Sequence, residues 1–259
     1  MKKPRLTLLG AGPGDPDLIS VKGLKALAEA DVVLYDALVH PDLLKYAPSR
    51  SEKVYVGKRA GKCAFCQDDI NKLIIDYAKH FGHVVRLKGG DPFIFGRGHE
   101  EMTAAREAGL ETVVIPGISS AIAVPEMQGI PLTRRHVNES FWVITGTTQS
   151  GQFSADIELA ARSSATIVIL MGMNNLERIT GIFKSCNKKD TPVAIIQNGT
   201  RDNERIGFGT ISTITDVVKE EGLGSPAVIV IGEVVRLHTS FNVKTILEQI
   251  NIIDTNSHL

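Results

Sequence analysis

The sequence predicts an α/β fold organised as two α/β domains, and three observations carry that prediction. Its 259 residues exceed the usual size of a single domain. Short β-rich apolar runs alternate with helix-patterned segments, the pattern of a mostly parallel sheet covered on both faces. The alternation breaks once, at Gly129-Ile130-Pro131-Leu132-Thr133-Arg134-Arg135-His136, where a glycine and a proline followed by a basic cluster suit an interdomain connection. The division implied is an N-terminal domain over 1–135, a C-terminal domain over 136–240 and a weakly patterned tail over 241–259.

Each element follows from its local pattern. Arg5–Leu9 reads as a short buried strand, Leu18–Ala30 as a helix and Asp31–Tyr35 as a second strand. Val54–Val56 is strand-like, Asp69–Phe81 helical and His83–Leu87 a further strand. A helix over Gly98–Ala108 leads to a strand at Thr112–Ile115 and another helix from Ile118. In the second half, strands are expected at Phe141–Thr145, Thr166–Met171, Pro192–Gln197, Arg205–Thr210 and Ala227–Ile231, with helices around Asn174–Lys184 and Ile211–Glu220.

Composition narrows the function classes. A hydrophobic fraction of 43% with 22% charged residues is ordinary for a chain that buries a core. Lys+Arg and Asp+Glu both number 29, so the net charge is zero. Nucleic-acid binding, which asks for a basic excess, is not expected, and an anionic ligand must meet local basic clusters. The longest predominantly apolar run, Ala165–Met171, spans seven residues, against the ~20 of a membrane helix. Met1-Lys2-Lys3-Pro4 leads straight into a strand with no apolar leader segment, and three cysteines make no disulfide framework. The expectation is a soluble cytoplasmic protein without membrane association.

Four strand ends carry the candidate chemistry. Gly10-Ala11-Gly12-Pro13-Gly14-Asp15-Pro16 is a glycine-rich turn that lets a ligand approach the backbone. As a dinucleotide fingerprint it is defective, because Asp15 stands where Gly or Ala is needed and Pro13 lacks an N–H. A tight structural turn is the competing reading. Arg86-Leu87-Lys88-Gly89-Gly90-Asp91-Pro92-Phe93-Ile94-Phe95-Gly96-Arg97-Gly98-His99-Glu100-Glu101 exposes backbone amides beside an acid able to receive ribose hydroxyls or a cation. Glu100 and Glu101 are also explained by the helix dipole. Pro116-Gly117-Ile118-Ser119-Ser120 can cap a helix or bond a ligand, and Met171 can pack on an adenine or in the core. Cys63-Ala64-Phe65-Cys66 holds only half of a zinc ligand set, with Cys186 far away, so an incidental pair is favoured and no metal site is expected.

Taken together, Gly10–Pro16, Ala30-Asp31-Val32-Val33-Leu34-Tyr35-Asp36, Gly57-Lys58-Arg59, Val85–Phe93 and Gly129–Thr133 resemble the uroporphyrinogen-III C-methyltransferase family of the tetrapyrrole methylase superfamily, in order from about residue 5 to residue 237. The resemblance implies two α/β domains with a ligand cleft between them, a homodimer, and transfer of two methyl groups from S-adenosylmethionine to ring carbons of uroporphyrinogen III. The products would be precorrin-2, on the way to sirohaem or cobalamin, and S-adenosylhomocysteine. It implies cofactor contacts at Pro13, Gly89, Gly90, Asp91, Ile94, Ser119, Ser120, Met171, Gly199 and Ala227. Departures from the family pattern are Ser119-Ser120 for Thr-Ala, His99 for Gly, Arg134 for His and Cys63 for His.

A substrate with eight carboxylates needs charge-assisted donors, for which Lys58, Arg59, Arg97, Arg134 and Arg135 are candidates. Asp36, Arg97, Glu100 and Arg135 are the polar groups expected at the reacting substrate, and Arg97 suits an electrostatic role because a guanidinium stays protonated and makes a poor general base. The competing readings are another S-adenosylmethionine-dependent methylase of a tetrapyrrole pathway or a diphthine synthase, a dinucleotide-dependent oxidoreductase, and a non-catalytic ligand-binding regulator.

Overall fold

The computed structural model describes residues 3–57, 66–148 and 153–241. The chain divides into two compact units, Met1–Ser120 and Ala121–Leu259, each containing a five-stranded sheet.

In the first unit the elements are β1 (Arg5–Gly10), α1 (Val21–Ala28), β2 (Val32–Tyr35), β3 (Glu52–Tyr55), α2 (Gln67–Phe81), β4 (His83–Lys88), α3 (Gly98–Glu107) and β5 (Glu111–Ile115). The sheet order is β3-β2-β4-β1-β5 and every pairing is parallel. Alternate residues serve opposite faces, as the two-residue period of a strand requires. Leu6, Leu8, Val32, Leu34 and Val84 pack with Ile70, Ile74 and Ala78 of α2 and with Met102 and Ala105 of α3. Leu9, Val33, Val85 and Leu87 pack on the other face with Leu27 of α1. The chain runs outward from β1 to β3, then returns through β4 and crosses β1 to reach β5. In open α/β sheets the crevice at such a reversal, outside the carboxyl ends of the strands, is where ligands bind.

The first helix is shorter than the sequence pattern predicts. Pro16–Leu18 forms a separate 3₁₀ turn capped by Asp15, and α1 starts at Val21, where the Ser20 hydroxyl accepts from the Gly23 amide at 3.1 Å. The glycine-rich turn after β1 therefore does not open directly into a long helix, as a dinucleotide fingerprint would require.

The second unit opens with α4 (Ser120–Met127), whose first residue is the last of the first unit. Its elements are β6 (Phe141–Thr145), α5 (Asp156–Arg162), β7 (Thr166–Leu170), α6 (Leu176–Ser185), β8 (Pro192–Gln197), β9 (Arg205–Thr210), α7 (Ile214–Glu221) and β10 (Ala227–Ile231). The order is β6-β7-β10-β8-β9, with β6 and β7 parallel and the other pairs antiparallel. The expected parallel sheet therefore holds in the first unit and gives way to a mixed one in the second. The cause is loop length: Asn198–Glu204 joins β8 to β9 and is too short for a parallel crossover. The seven-residue α5 has no counterpart among the expected helices, because Leu159 is 61% exposed and burial there rests on Ile157, Ala160 and Ala161.

The glycine–proline pair predicts the division at 135, and the structure places it at Ser120. Apolar packing is the reason. Ala121 and Val124 of α4, with Ile130 beyond it, join Val168, Ala194, Ile196, Val228 and Val230 on one face of the second sheet. Residues beyond 241, including most of the expected tail, lie outside those described.

Candidate functional site

The first cluster forms where β1, β4 and β5 end. The amide of Gly12 donates to the Gly90 carbonyl at 3.2 Å and the amide of Gly90 to the Gly12 carbonyl at 2.7 Å. This two-bond bridge stitches the turn after β1 to the turn after β4. A Cβ on Gly117, just past β5, would stand 2.2 Å from the Gly90 carbonyl oxygen and 2.7 Å from the Gly10 Cα. Those neighbours are backbone and cannot rotate away, so the three ends meet only without a side chain. Gly90 is different: its φ of +67° is left-handed, and among the described residues a Cβ there would meet only the Ser120 amide, at 3.9 Å. It therefore borders open space, a cradle that a side chain would fill.

Asp91 locks this junction. Its Oδ1 accepts from the Phe93 amide at 2.8 Å and its Oδ2 from the Gly117 amide at 3.1 Å. Both oxygens expected to meet a ligand are thus engaged by backbone, each with a further lone pair to offer. Pro13, Gly89, Gly90, Asp91, Ser119 and Ser120 all belong to these strand-end segments in the first unit. Beyond Asp91 the chain exposes Phe93, Ile94 and Phe95 at 47%, 45% and 44%. Phe95 and Arg97 hold φ of 53° and 59°, a left-handed conformation that bulky residues rarely adopt.

Arg97 caps the start of α3 and grips Glu100 with both arms of its fork, Nε to Oε1 at 2.8 Å and Nη2 to Oε2 at 2.6 Å. The hydrogen bond from Arg97 holds the Glu100 carboxyl below its ordinary range. The pair is about half exposed, so it contributes little to stability.

A second, buried charge cluster lies on the α2–α3 side of the same sheet. Arg86 and Lys88 on β4 and Glu101 on α3 have side chains 4%, 6% and 0% exposed. Glu101 Oε1 accepts from Arg86 Nε and from Lys88 Nζ, each at 3.1 Å, and from Gln67 Nε2 at 3.4 Å. Arg86 Nη2 lies 3.5 Å from Asp36 Oδ2, while Asp36 Oδ1 accepts from the Leu38 amide at 3.1 Å. Burial, followed by the nearby Arg86 charge, pushes the Lys88 ammonium down from its ordinary pKa, and Glu101 opposes the shift.

The second unit gathers its own candidates. The antiparallel register sets Val228 opposite Leu170 and Ala227 opposite Gln197, which brings Met171, Ala227 and the turn holding Gly199 to one end of that sheet. Met171 is 52% exposed at a φ of 56°. Gly199 abuts Val124, which a Cβ would meet at 2.4 Å. Arg134 and Arg135 line a cavity of about 470 Å³ with Thr133, His136, Asn138 and Glu139.

Of the groups expected at the substrate, Arg97 and Glu100 come together as a pair, Asp36 joins the buried cluster, and Arg135 stands in the second unit. Lys58, Arg59 and Cys63 lie outside the described residues. Cys66 is exposed ahead of α2, and Cys186 is half-buried. The cluster of Arg86, Lys88 and Glu101 is the part that sequence reasoning missed. A signal was present: two charges alternate inside Val84-Val85-Arg86-Leu87-Lys88, and a strand buried on both faces cannot hold them unpaired.

Comparison with known proteins gives a consistent picture. Residues 5–215 match the model of the tetrapyrrole (corrin/porphyrin) methylases. A uroporphyrinogen-III C-methyltransferase of Methanocaldococcus jannaschii is 50% identical over 235 residues, 90% of this chain and 97% of that one. One of Priestia megaterium is 43% identical over 89% of this chain and 98% of that one. The crystal structure of a Thermus thermophilus uroporphyrin-III C-methyltransferase complexed with S-adenosylhomocysteine is 36% identical, with a TM-score of 0.77 over 90% of this chain and 99% of that one.

The latch role of Asp91 is testable on its own. Asp91→Asn turns one acceptor into a donor facing a backbone amide. The Gly117 amide is part-buried, and losing a hydrogen bond of this kind costs about 1 kcal/mol, so chemical denaturation should show a loss of that size. An unchanged unfolding free energy would show that the junction holds without the carboxylate.

Proposed function

Because the chain belongs to the tetrapyrrole (corrin/porphyrin) methylase family, we propose that it transfers methyl groups from S-adenosylmethionine to ring carbons of uroporphyrinogen III. The single observation that carries this reading is the 50% identity, across nearly the full length of both chains, to a uroporphyrinogen-III C-methyltransferase. The reaction places two methyl groups and gives precorrin-2, the tetrapyrrole from which sirohaem and cobalamin-type products are made. A homodimer in the cytoplasm is part of the same reading. Its support is the family resemblance, the few cysteines, and, among the described residues, the absence of any helix long and apolar enough to cross a membrane.

S-adenosylmethionine supplies a methyl group already activated by its sulfonium. In the first unit Pro13, Gly89, Gly90, Asp91, Ile94, Ser119 and Ser120 are proposed as its contacts, and the space beside Gly90 supports the fit. In the second unit the proposed contacts are Met171, Gly199 and Ala227, which share one sheet end. No metal enters this reading.

With the methyl group activated in advance, the protein's task is to align the partners and exclude water. Each transfer adds a methyl cation, so the substrate must release one proton. Glu100 is held bidentate by Arg97, whereas Asp36 is 24% exposed at the end of β2 and, among the described residues, has one close backbone donor and a longer contact to Arg86 at 3.5 Å. Asp36 is therefore the proposed proton acceptor. Arg97 is proposed to meet a substrate carboxylate through Nη1, the arm that its pair with Glu100 does not use, and Arg134 and Arg135 supply further cationic contacts to the acidic side chains.

The direct test is an assay with S-adenosylmethionine and uroporphyrinogen III that follows product mass. Addition of two methyl groups with release of two S-adenosylhomocysteines is expected. A product that stalls at one methyl, or modification of a different tetrapyrrole alone, points instead to another methylase of the same family.

Arg97 gives a second test. Arg97→Lys keeps the charge without the planar fork and Arg97→Ala removes both. Both variants should bind S-adenosylhomocysteine normally, with turnover lowered about tenfold or more in the alanine form and less in the lysine form. Weakened S-adenosylhomocysteine binding with intact catalysis would move Arg97 to the cofactor side.

A further inference from the structure

We infer that Glu101 is a positioning residue for the methyl transfer: acting through Arg86, it sets where the Asp36 carboxylate stands at the end of β2. The inference rests on the reading above in which Asp36 accepts the proton.

The geometry runs through one rigid group. The guanidinium of Arg86 donates from Nε to Glu101 Oε1 at 3.1 Å and from Nη1 to the Leu87 carbonyl at 2.9 Å. Its remaining arm, Nη2, faces Asp36 Oδ2 at 3.5 Å. Because the guanidinium is planar, fixing Nε and Nη1 fixes the direction of Nη2. Glu101 comes from α3, Arg86 from β4 and Asp36 from the end of β2, so the chain of contacts ties a helix to a catalytic carboxylate across two strands.

Stability alone does not account for this arrangement. Buried ion pairs replaced by apolar residues of similar volume often leave a protein as stable or more so. Here the burial is also incomplete in its bonding. Three donors converge on Glu101 Oε1, while Oε2, equally buried, has no hydrogen-bond partner among the described residues. A buried acceptor left unmet is a cost to the fold. What the carboxylate supplies in return is orientation of Arg86 and charge balance, with Arg86 and Lys88 set against Glu101 and Asp36. Glu100, its neighbour in sequence, is about half exposed and pairs with Arg97 instead.

A double-mutant cycle on the full chain tests the coupling, with Glu101→Gln and Asp36→Asn measured singly and together. The readouts are kcat and KM for uroporphyrinogen III, S-adenosylhomocysteine affinity by calorimetry, and the thermal midpoint. Asp36→Asn should lower kcat strongly. Glu101→Gln should lower kcat about tenfold or more while leaving KM and S-adenosylhomocysteine affinity within about twofold. Added to Asp36→Asn, it should reduce kcat by less than about twofold further. An equal loss in both backgrounds would overturn the inference, because the effect would then not pass through Asp36. A fall in S-adenosylhomocysteine affinity would overturn it as well. Should Asp36→Asn keep its turnover, the proposed proton acceptor fails first, and that result is distinct from additivity. If Glu101→Gln alone does not fold, Glu101→Gln with Lys88→Met removes one anion and one cation together, and the same cycle is run on that pair.

Discussion

Three strand ends of the first sheet approach more closely than side chains permit, and the architecture of that unit is arranged around the approach. Gly10, Gly90 and Gly117 touch backbone to backbone, the Gly12–Gly90 bridge pins two of the ends, and Asp91 clasps the third through the Gly117 amide. Parallel pairing of β4, β1 and β5 in one register delivers these glycines to a common level. The same contact explains why a glycine turn that imitates a dinucleotide fingerprint behaves otherwise: the Gly12 amide and carbonyl already bond Gly90, and the following helix starts only at Val21.

A second constraint lies inside the sheet. A strand covered on both faces ordinarily carries only apolar side chains, yet β4 carries Arg86 and Lys88, both nearly inaccessible. Burying those charges requires counter-charges at fixed places, and Glu101 and Asp36 fill that requirement from a helix and a neighbouring strand end. Charge thus links the outer helix layer to the carboxyl edge of the sheet, where the glycine junction sits. A fold that places electrostatics and backbone cradle at one edge fits a transfer reaction that depends on alignment more than on strong acid–base groups.

Much of this was legible in the residues. The strands Phe141–Thr145, Pro192–Gln197, Arg205–Thr210 and Ala227–Ile231 stand where their β-branched runs and flanking turn residues place them. Strand direction was less legible, because alternation of side chains is the same in parallel and antiparallel pairs. The short Asn198–Glu204 connection was a clue to the antiparallel pair, and the expectation of a mostly parallel sheet passed over it. Helix α5 escaped because alanines carry its burial and its one leucine points outward. The choice between Glu100 and Glu101 turns on helix rotation. Ala105, four residues after Glu101, is buried, which puts Glu101 on the inward face, whereas two adjacent acids at a helix start read equally well as dipole complements.

Carbon as the methyl acceptor is what distinguishes this reaction from methylation of an oxygen or a nitrogen. The most direct measurement is ¹³C NMR of the tetrapyrrole formed from uroporphyrinogen III and S-adenosylmethionine labelled in its methyl group. Two labelled methyl resonances, each bonded to a saturated ring carbon, are the predicted result. Label on a carboxylate oxygen or a ring nitrogen, or no transfer to the tetrapyrrole, would contradict it.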